Sequence, residues 1–246
     1  MKKIIILLLV TILTGCAELS RMAEEMDGQG PLTKTEVVQG LKQALTIGAD
    51  SAASHLSVKD GYYGDPLVKI GLPPEAEVVT AHASKIPGGE RLVEDVLLRI
   101  NRSAEDAAGE AAPVFANAVR SMTIRDGFEI LRGENDAATQ YLQEQTYQEL
   151  YDLYQPKIKA SIDKKLVGDL STKESWETLT RKWNGVANSI VGNMANLETI
   201  ETQLDHYLTE QALDGLFLKL AREEEKIRKN PAARVTGLLE RVFGES

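Results

Sequence analysis

Residues 204–227 read LDHYLTEQALDGLFLKLAREEEKI, and this segment has the most regular apolar pattern in the chain. Large apolar side chains recur in it every three or four residues, a spacing that places them on one face of an α-helix. The members of this stripe are Leu204, Leu208, Leu213, Leu216, Phe217, Leu220 and Ile227. The segment therefore predicts a long helix with one buried face. The three glutamates at residues 223–225 are expected to form a solvated face of that helix.

Working outward from this segment, similar patterns predict further helices. Thr33-x-x-Glu36 and Ser171-x-x-Glu174 match the capping box, in which a hydroxyl and a carboxylate satisfy the first backbone N–H groups of a helix. An amphipathic helix is expected over residues 137–154. Because proline lacks a backbone N–H, we expect Pro156 to start a separate helix.

The apolar period is lost near residues 57–74, where glycines and prolines are frequent. We expect one ordered loop region there, and a Gly- and Asn-rich loop over residues 184–196. Asp60 and Asp65 offer oxygens for calcium, but the EF-hand spacing is absent, so a packed loop is the simpler interpretation. Altogether the patterns predict an all-α fold, an irregular multi-helix bundle of about eight to ten helices.

Two aromatic stripes are candidate recognition surfaces, although both also fit core packing. Tyr147, Tyr151 and Tyr154 share one side of a predicted helix, and Trp176 and Trp183 share one side of another. Tyrosine buries its ring while its hydroxyl stays hydrated, which suits the rim of a core or an interface. Core packing is the expectation for both stripes.

The N-terminus predicts export and lipidation. Lys2 and Lys3 precede an apolar run at residues 4–10, and residues 13–16 read LTGC, which resembles the lipobox of bacterial lipoproteins. Cleavage before the cysteine would leave Cys16, the one cysteine of the chain, as the acylated first residue. A plain signal peptide with a chance cysteine is the alternative.

This interpretation divides the chain into a signal peptide at residues 1–15, a lipid-anchored tether at residues 16–34 and a single helical domain at residues 35–246. Ala17 stands where aspartate would be the usual signal for retention in the inner membrane. The expected location is therefore the cell envelope, in the outer membrane and facing the periplasm. The expected partners are the membrane, through acyl chains on Cys16, and an envelope protein or an apolar ligand.

Composition argues against several functions. The net charge of −9 opposes binding to nucleic acid. His-Glu-x-x-His and Gly-x-Ser-x-Gly motifs are absent from the sequence, and its three histidines are far apart. We therefore assign no catalytic residue, no metal ligand and no cofactor.

Several stretches carry a resemblance to a known family. They are ALDGLF at residues 212–217, IRKNPAAR at residues 227–234, Asp60-Gly61-Tyr62, Asn101-Arg102 and DAATQY at residues 136–141. Together they resemble the uncharacterised bacterial family named domain of unknown function 4197, over nearly all of the chain from about residue 41 to residue 243. The resemblance implies a secreted or lipid-anchored, mostly helical protein without an assigned activity.

These stretches define a candidate structural or functional cluster. Its members are Asp60, Tyr62, Asn101, Arg102, Asp214, Gly215, Asn230 and Arg234. A glycine inside a helix costs about 1 kcal/mol relative to alanine, so Gly215 requires a compensating contact. We expect Gly215 to permit a close helix crossing and Asp214 to pair with Arg234.

The expected function is that of a lipid-anchored binding or scaffolding module in the cell envelope. A periplasmic carrier of a lipid or another apolar ligand is the alternative, because pockets often form between helices. A hydrolase-type enzyme is a second alternative, since carboxylates that are distant in sequence can meet in a fold.

Overall fold

The computed structural model describes residues 30–85, 88–125 and 127–244. Within these ranges the chain forms ten α-helices and no β-strand, which confirms the predicted all-α multi-helix fold. The predicted lipidation site Cys16 and the signal peptide lie outside the described residues. No helix in the described ranges has the length and apolar character needed to span a bilayer.

The helices are numbered here in chain order. They are α1 (Lys34–Leu56), α2 (Glu77–Ala81), α3 (Gly89–Ala108), α4 (Ala111–Ser121), α5 (Gly127–Leu131), α6 (Ala137–Ile162), α7 (Thr172–Ala187), α8 (Ile190–Met194), α9 (Leu204–Lys229) and α10 (Gly237–Gly244). Short 3-10 helices occupy Pro74–Ala76, Ala83–Lys85 and Pro231–Ala233.

Helix α9 lies at the centre of the bundle. Every member of its predicted apolar stripe is at most 5 % exposed, and the helix packs mainly on α1 and α6. Gly48 of α1 faces Leu220 of α9, and Gly40 faces Val242 of α10. Since α10 follows α9, these contacts place the start of α1 beside the end of α9, so the two long helices are antiparallel.

Both predicted capping boxes are confirmed. The Thr33 hydroxyl accepts a hydrogen bond from the Glu36 backbone N–H (3.2 Å), and the Glu36 carboxylate accepts one from the Thr33 N–H (2.8 Å). The Ser171 and Glu174 pair makes the same two bonds at the start of α7. Local sequence therefore fixed where these helices begin.

The prediction that Pro156 starts a separate helix is wrong. Pro156 lies inside the continuous helix α6. Tyr154, Ile158 and Ile162 follow one another at intervals of four residues, and all three are buried. Burying this face offsets the one backbone hydrogen bond that proline cannot donate. Tertiary packing therefore overrides the local signal for a break.

The predicted loop at residues 184–196 is largely helical. Helix α7 continues to Ala187 because Leu179, Trp183 and Ala187 keep the same buried face, and α8 follows after a two-residue turn. Both tryptophans of α7 are at most 6 % exposed, so their stripe belongs to the core as expected.

The predicted ordered loop is present at residues 57–73, and Asn101 of α3 holds its second half. The side-chain oxygen of Asn101 accepts a hydrogen bond from the Ile70 N–H (2.9 Å), and its amide nitrogen donates one to the Ile70 carbonyl (2.8 Å). Asn101 is fully buried, so these bonds satisfy polar groups that water cannot reach.

Candidate functional site

The first half of the loop inserts Tyr62 between α3 and α9. The side chain of Tyr62 is fully buried, and its hydroxyl donates a hydrogen bond to the Ala212 carbonyl (2.8 Å). A Cβ atom on Gly215 would lie 2.7 Å from Cε1 of Tyr62. The absence of a side chain at Gly215 therefore leaves space for the Tyr62 ring. The predicted close helix crossing at Gly215 is wrong, since the nearest group is this ring of the loop.

Glu105 of α3 holds the same part of the loop. Its carboxylate accepts hydrogen bonds from the backbone N–H groups of Tyr62 (3.2 Å) and Tyr63 (3.1 Å), and only 3 % of the residue is exposed. Arg102 bridges Glu105 (2.5 Å) and Asp60 (2.7 Å) with its two terminal nitrogens. The buried carboxylate is therefore compensated both by an arginine and by two backbone donors.

Asp60 has a backbone φ of 68°, in the left-handed region that non-glycine residues rarely occupy. The Asp60 carbonyl accepts a hydrogen bond from the Gly64 N–H (3.0 Å), while its carboxylate binds Arg102. These contacts hold the strained residue in place at the edge of the loop.

Five of the eight residues in the predicted cluster therefore meet around the loop, namely Asp60, Tyr62, Asn101, Arg102 and Gly215. Sequence analysis did not single out Glu105, which accepts a hydrogen bond from Tyr62 and pairs with Arg102. A signal was available, because Glu105 lies three residues after Arg102 and an arginine at that spacing on a helix can neutralise a carboxylate.

The expected pair between Asp214 and Arg234 does not form. Arg234 donates to the carbonyls of Ile227 (3.0 Å) and Arg228 (2.8 Å) at the end of α9. Thirteen residues separate Asp214 from Ile227, which corresponds to about 20 Å along a helix. Arg234 therefore stabilises the C-terminus of α9, where carbonyls lack partners within the helix.

Asn230 also has a local structural role. Its side-chain oxygen accepts a hydrogen bond from the Ala232 N–H (3.0 Å), which caps the 3-10 helix at Pro231–Ala233. The IRKNPAAR stretch thus ends one helix and begins the next turn.

The sequence predicted that Glu224 is part of a solvated face. This prediction is wrong, because Glu224 is only 1 % exposed. It accepts hydrogen bonds from the Ala138 N–H (3.0 Å) and from the Thr139 N–H and hydroxyl (both 2.7 Å) at the start of α6. Arg228 pairs with it at 2.7 Å and also donates to carbonyls at the end of α5. The DAATQY stretch is therefore a docking point for a buried carboxylate of α9.

The tyrosine stripe of α6 divides between core and rim. Tyr154 is fully buried, whereas Tyr147 and Tyr151 are half-buried and the Tyr151 hydroxyl lies 2.6 Å from Nδ1 of His206. Burial, followed by the charges of Asp214 and Glu210, raises the pKa of Tyr147 to about 12. The rim tyrosines thus remain neutral hydrogen-bonding groups at physiological pH.

Helix α8 forms an exposed apolar tip beyond the end of α7. Ile190, Val191 and Met194 are 81 %, 74 % and 81 % exposed, the highest values among the large apolar side chains described. We call these three residues the α8 tip. The surrounding stretch, residues 183–197, contains no charged residue, although 26 % of the whole chain is charged.

The α8 tip is held firmly on the end of α7. The Ser189 hydroxyl accepts a hydrogen bond from the Gly192 N–H (3.1 Å) and donates one to the Val186 carbonyl (2.7 Å). Gly192 packs so closely that a Cβ atom there would lie 2.2 Å from the Val186 carbonyl oxygen. The exposed side chains therefore project from a backbone that packs closely on the end of α7.

Asn184 of α7 places this tip at one end of the bundle. Its side chain exchanges two hydrogen bonds with the backbone of Ile200 (2.8 and 3.0 Å), four residues before α9 begins. Because α1 and α9 are antiparallel, the tip and the start of α1 lie at opposite ends of the domain.

Among the described residues, no three His, Cys, Asp or Glu side chains are arranged to hold a metal ion. The model of the family described as Protein of unknown function (DUF4197) matches residues 31–244. Neither the curated proteins nor the solved structures include a significant match to this chain.

Proposed function

This chain belongs to the family described as Protein of unknown function (DUF4197), and from that premise we propose that it is a lipid-anchored binding module of the cell envelope. Its binding surface is the α8 tip, and its partner is an envelope protein with an apolar pocket. The observation that carries this proposal is the exposure of Ile190, Val191 and Met194 within a stretch, residues 183–197, that contains no charged residue.

The chemistry of the tip favours a protein interface. Three large apolar side chains form a patch of roughly a few hundred Å², a size that is often functional on a monomer. Asn188, Asn193 and Asn196 lie in the same stretch, and their exposed side chains supply uncharged polar groups next to the tip in the chain. Interfaces have the same arrangement, with few charges at the centre and hydrogen-bonding groups at the rim.

The position of the tip favours a partner away from the anchoring membrane. A helix as long as α1 measures roughly 35 Å, which separates the tip from an anchor at the start of that helix. Acyl chains on Cys16 would attach the domain near the start of α1, at the end opposite the tip. An upright domain therefore presents the tip to the periplasm.

A second copy of the chain is a poorer partner. Two tips in contact would bury far less than the ~800 Å² per partner that a stable interface needs. Insertion of the convex tip into a partner's pocket also brings the sides of α7 into contact, which enlarges the buried area.

The test is site-specific photocrosslinking in cells of the source organism, with a photoreactive residue in place of Val191. The matched control replaces Val235, which is 68 % exposed near the opposite end of the domain. We expect a discrete protein adduct from position 191 and none from position 235. Ile190→Asp should abolish the adduct without changing the circular dichroism spectrum, because this side chain is exposed.

Three other results would overturn the proposal. Crosslinks to lipid alone would indicate an apolar ligand or a membrane contact. An adduct with twice the mass of the chain would indicate self-association. Equal labelling from positions 191 and 235 would mean that the tip is not a selective surface. Mass spectrometry of the mature protein tests separately whether Cys16 carries acyl chains.

A further inference from the structure

A second surface, distant from the α8 tip, is a charged cleft between the loop and α9. It has a volume of about 470 Å³ and lies beside the strained backbone of Asp60. Its charged lining includes Lys59, Asp60 and Asp65 from the loop and Lys219, Arg222 and Lys226 from α9. The buried contacts of Tyr62 and Glu105 fix the loop wall of this cleft.

The carboxylates of this cleft are neutralised by specific partners. Asp60 pairs with Arg102, which lies behind the loop, at 2.7 Å. Asp65 pairs with Lys219, whose hydrogen bond holds the pKa of that carboxyl below its usual value. The third carboxylate, that of Glu223, pairs with Lys226 at 2.5 Å. Each acidic side chain of the cleft therefore already has a cation.

Two cations of the cleft have no such partner. Across the described ranges, neither Lys59 nor Arg222 makes a side-chain hydrogen bond or an ion pair with another residue. Lys59 belongs to the loop and Arg222 to α9, and both line the cleft. His55 also lines the cleft, with its Nδ1 2.8 Å from the Ser51 carbonyl oxygen. The charge of Arg222 also helps to lower the pKa of Asp65, but neither cation has a carboxylate in direct contact. Two cations without a direct ion pair therefore line one cleft in a chain whose net charge is −9.

We propose that this cleft binds the phosphate group of a phosphomonoester, held between Lys59 and Arg222. A phosphomonoester carries a charge of about −1.5 to −2 at neutral pH. This charge balances two unpaired cations, whereas a ligand with a single carboxylate would balance only one of them. The planar guanidinium of Arg222 can donate two parallel hydrogen bonds to phosphate oxygens, and a lysine ammonium supplies a compact charge.

The size and lining of the cleft define the rest of the ligand. A volume of about 470 Å³ exceeds that of a phosphate group alone, and the ion-paired residues around it suit a polar remainder. Either a soluble phosphate ester or the phosphomonoester headgroup of a lipid has this chemistry. The inference does not depend on the α8 tip or on its partner.

The test is a titration of the full-length protein, in neutral detergent, with inorganic phosphate, followed by NMR of the backbone amides. We expect saturable shifts at Gly61 and Gly64, which line the cleft. Arg222→Gln and Lys59→Gln should each weaken phosphate binding about tenfold, because each removes one of two charges that contact the ligand.

The matched controls are Arg181→Gln and Lys182→Gln, which remove exposed cations of α7 outside the cleft. These variants should change the affinity less than twofold. Glycerol 3-phosphate and short-chain phosphatidic acid then separate the two sources. Equal affinity indicates a soluble ester, and tighter binding of the lipid indicates a headgroup; both results support the site.

Two outcomes would overturn the inference. One is the absence of saturable shifts at phosphate concentrations up to about 10 mM, well above a millimolar Kd. The other is binding that Arg222→Gln and Lys59→Gln leave unchanged while the control substitutions weaken it. Neither outcome bears on the crosslinking test of the α8 tip, so the two proposals fail separately.

Discussion

The ring of Tyr62 packs directly on the backbone of α9 at Gly215, where a Cβ atom would approach Cε1 of the ring to 2.7 Å. The hydroxyl of the same tyrosine reaches the Ala212 carbonyl, one turn earlier on α9. A residue of the loop thus occupies space that exists only because one position of the central helix has no side chain. This contact couples the wall of the charged cleft to the core.

Gly215→Ala should destabilise the protein even though alanine is the better helix former. The added methyl group would overpack a fully buried ring, at a cost of about 1–3 kcal/mol, which outweighs a gain in helix propensity of about 1 kcal/mol. Urea unfolding followed by circular dichroism measures the difference. Gly185→Ala is the control: nothing lies within 4 Å of its Cβ position, so it should stabilise α7. Equal stabilisation by both substitutions would contradict the packing argument.

Glu224→Ala should reduce the free energy of unfolding by about 3–5 kcal/mol, the usual cost of breaking a buried ion pair from one side. The substitution leaves Arg228, 9 % exposed, without its carboxylate and removes the acceptor for the first N–H groups of α6. Glu225→Ala is a matched control, since the pair between Glu225 and Lys229 is exposed and should contribute less than about 0.5 kcal/mol. Chemical denaturation at neutral pH measures the free energy of unfolding of both variants. Similar reductions for Glu224→Ala and Glu225→Ala would contradict the stabilising role of the buried Glu224 carboxylate.

The capping box of α7 should make stability depend on acid pH. The hydrogen bond from the Ser171 backbone N–H is the main reason that the pKa of Glu174 lies below its ordinary value of 4.5. A carboxyl whose pKa is lowered by folding stabilises the protein above its unfolded pKa, and that contribution is lost as pH falls through the folded pKa.

The difference in unfolding free energy between the wild type and Glu174→Gln should therefore be largest above about pH 5.5 and shrink below pH 4.5. Urea titrations across this range measure it. Glu177→Gln removes an exposed carboxylate of the same helix and serves as the control for the loss of one charge. A constant difference between wild type and Glu174→Gln at all pH values would rule out this linkage.

Asp214→Asn should raise the melting temperature at neutral pH, or leave it unchanged, and should not lower it. Partial burial, followed by the charge of Glu210, raises the pKa of Asp214 above its ordinary value of 3.8. Ionisation of such a group opposes folding, so its cost appears as pH rises through the folded pKa and is absent below the unfolded pKa. Differential scanning calorimetry at neutral and acid pH measures the effect. A lower melting temperature at neutral pH would contradict this prediction and would indicate that ionised Asp214 stabilises the fold through an ion pair.

Glu210→Gln provides the complementary measurement, because removing that neighbouring charge should lower the pKa of Asp214. Both substitutions should also lower the pKa of Tyr147, since Asp214 and Glu210 contribute to raising it to about 12. Ultraviolet titration of the tyrosines follows this change. No change in the Tyr147 titration would mean that these charges do not reach its hydroxyl.

Local patterns predicted the features that depend on neighbouring residues in the chain. The stripe of α9, the two capping boxes and the ordered loop all follow from spacing and turn chemistry within about one to seven residues. The same reasoning was wrong at Pro156, where the buried face of Tyr154 and Ile158 carries the helix past the proline. Propensity is a weak signal there, because burial contributes more than one missing hydrogen bond costs.

The candidate cluster was only partly predictable. Asp60, Tyr62 and Arg102 were chosen from sequence stretches, and the fold brings them together with Glu105, which no stretch identified. A close contact at Gly215 was predicted, but with another helix. The group that approaches Gly215 is the side chain of Tyr62, 153 positions away in the chain. Periodicity along one helix carries no information about such a distant partner.

The sequence by itself thus determined the all-α class, the helix starts and the buried face of the central helix, because these depend on contacts within a few residues. Only the tertiary structure decided which charges are buried and which surfaces are free. Glu224 and Glu225 are adjacent in the chain, yet one is 1 % exposed and the other pairs at the surface. The physical reason is that burial depends on the elements packed against each face, and only the assembled bundle specifies them.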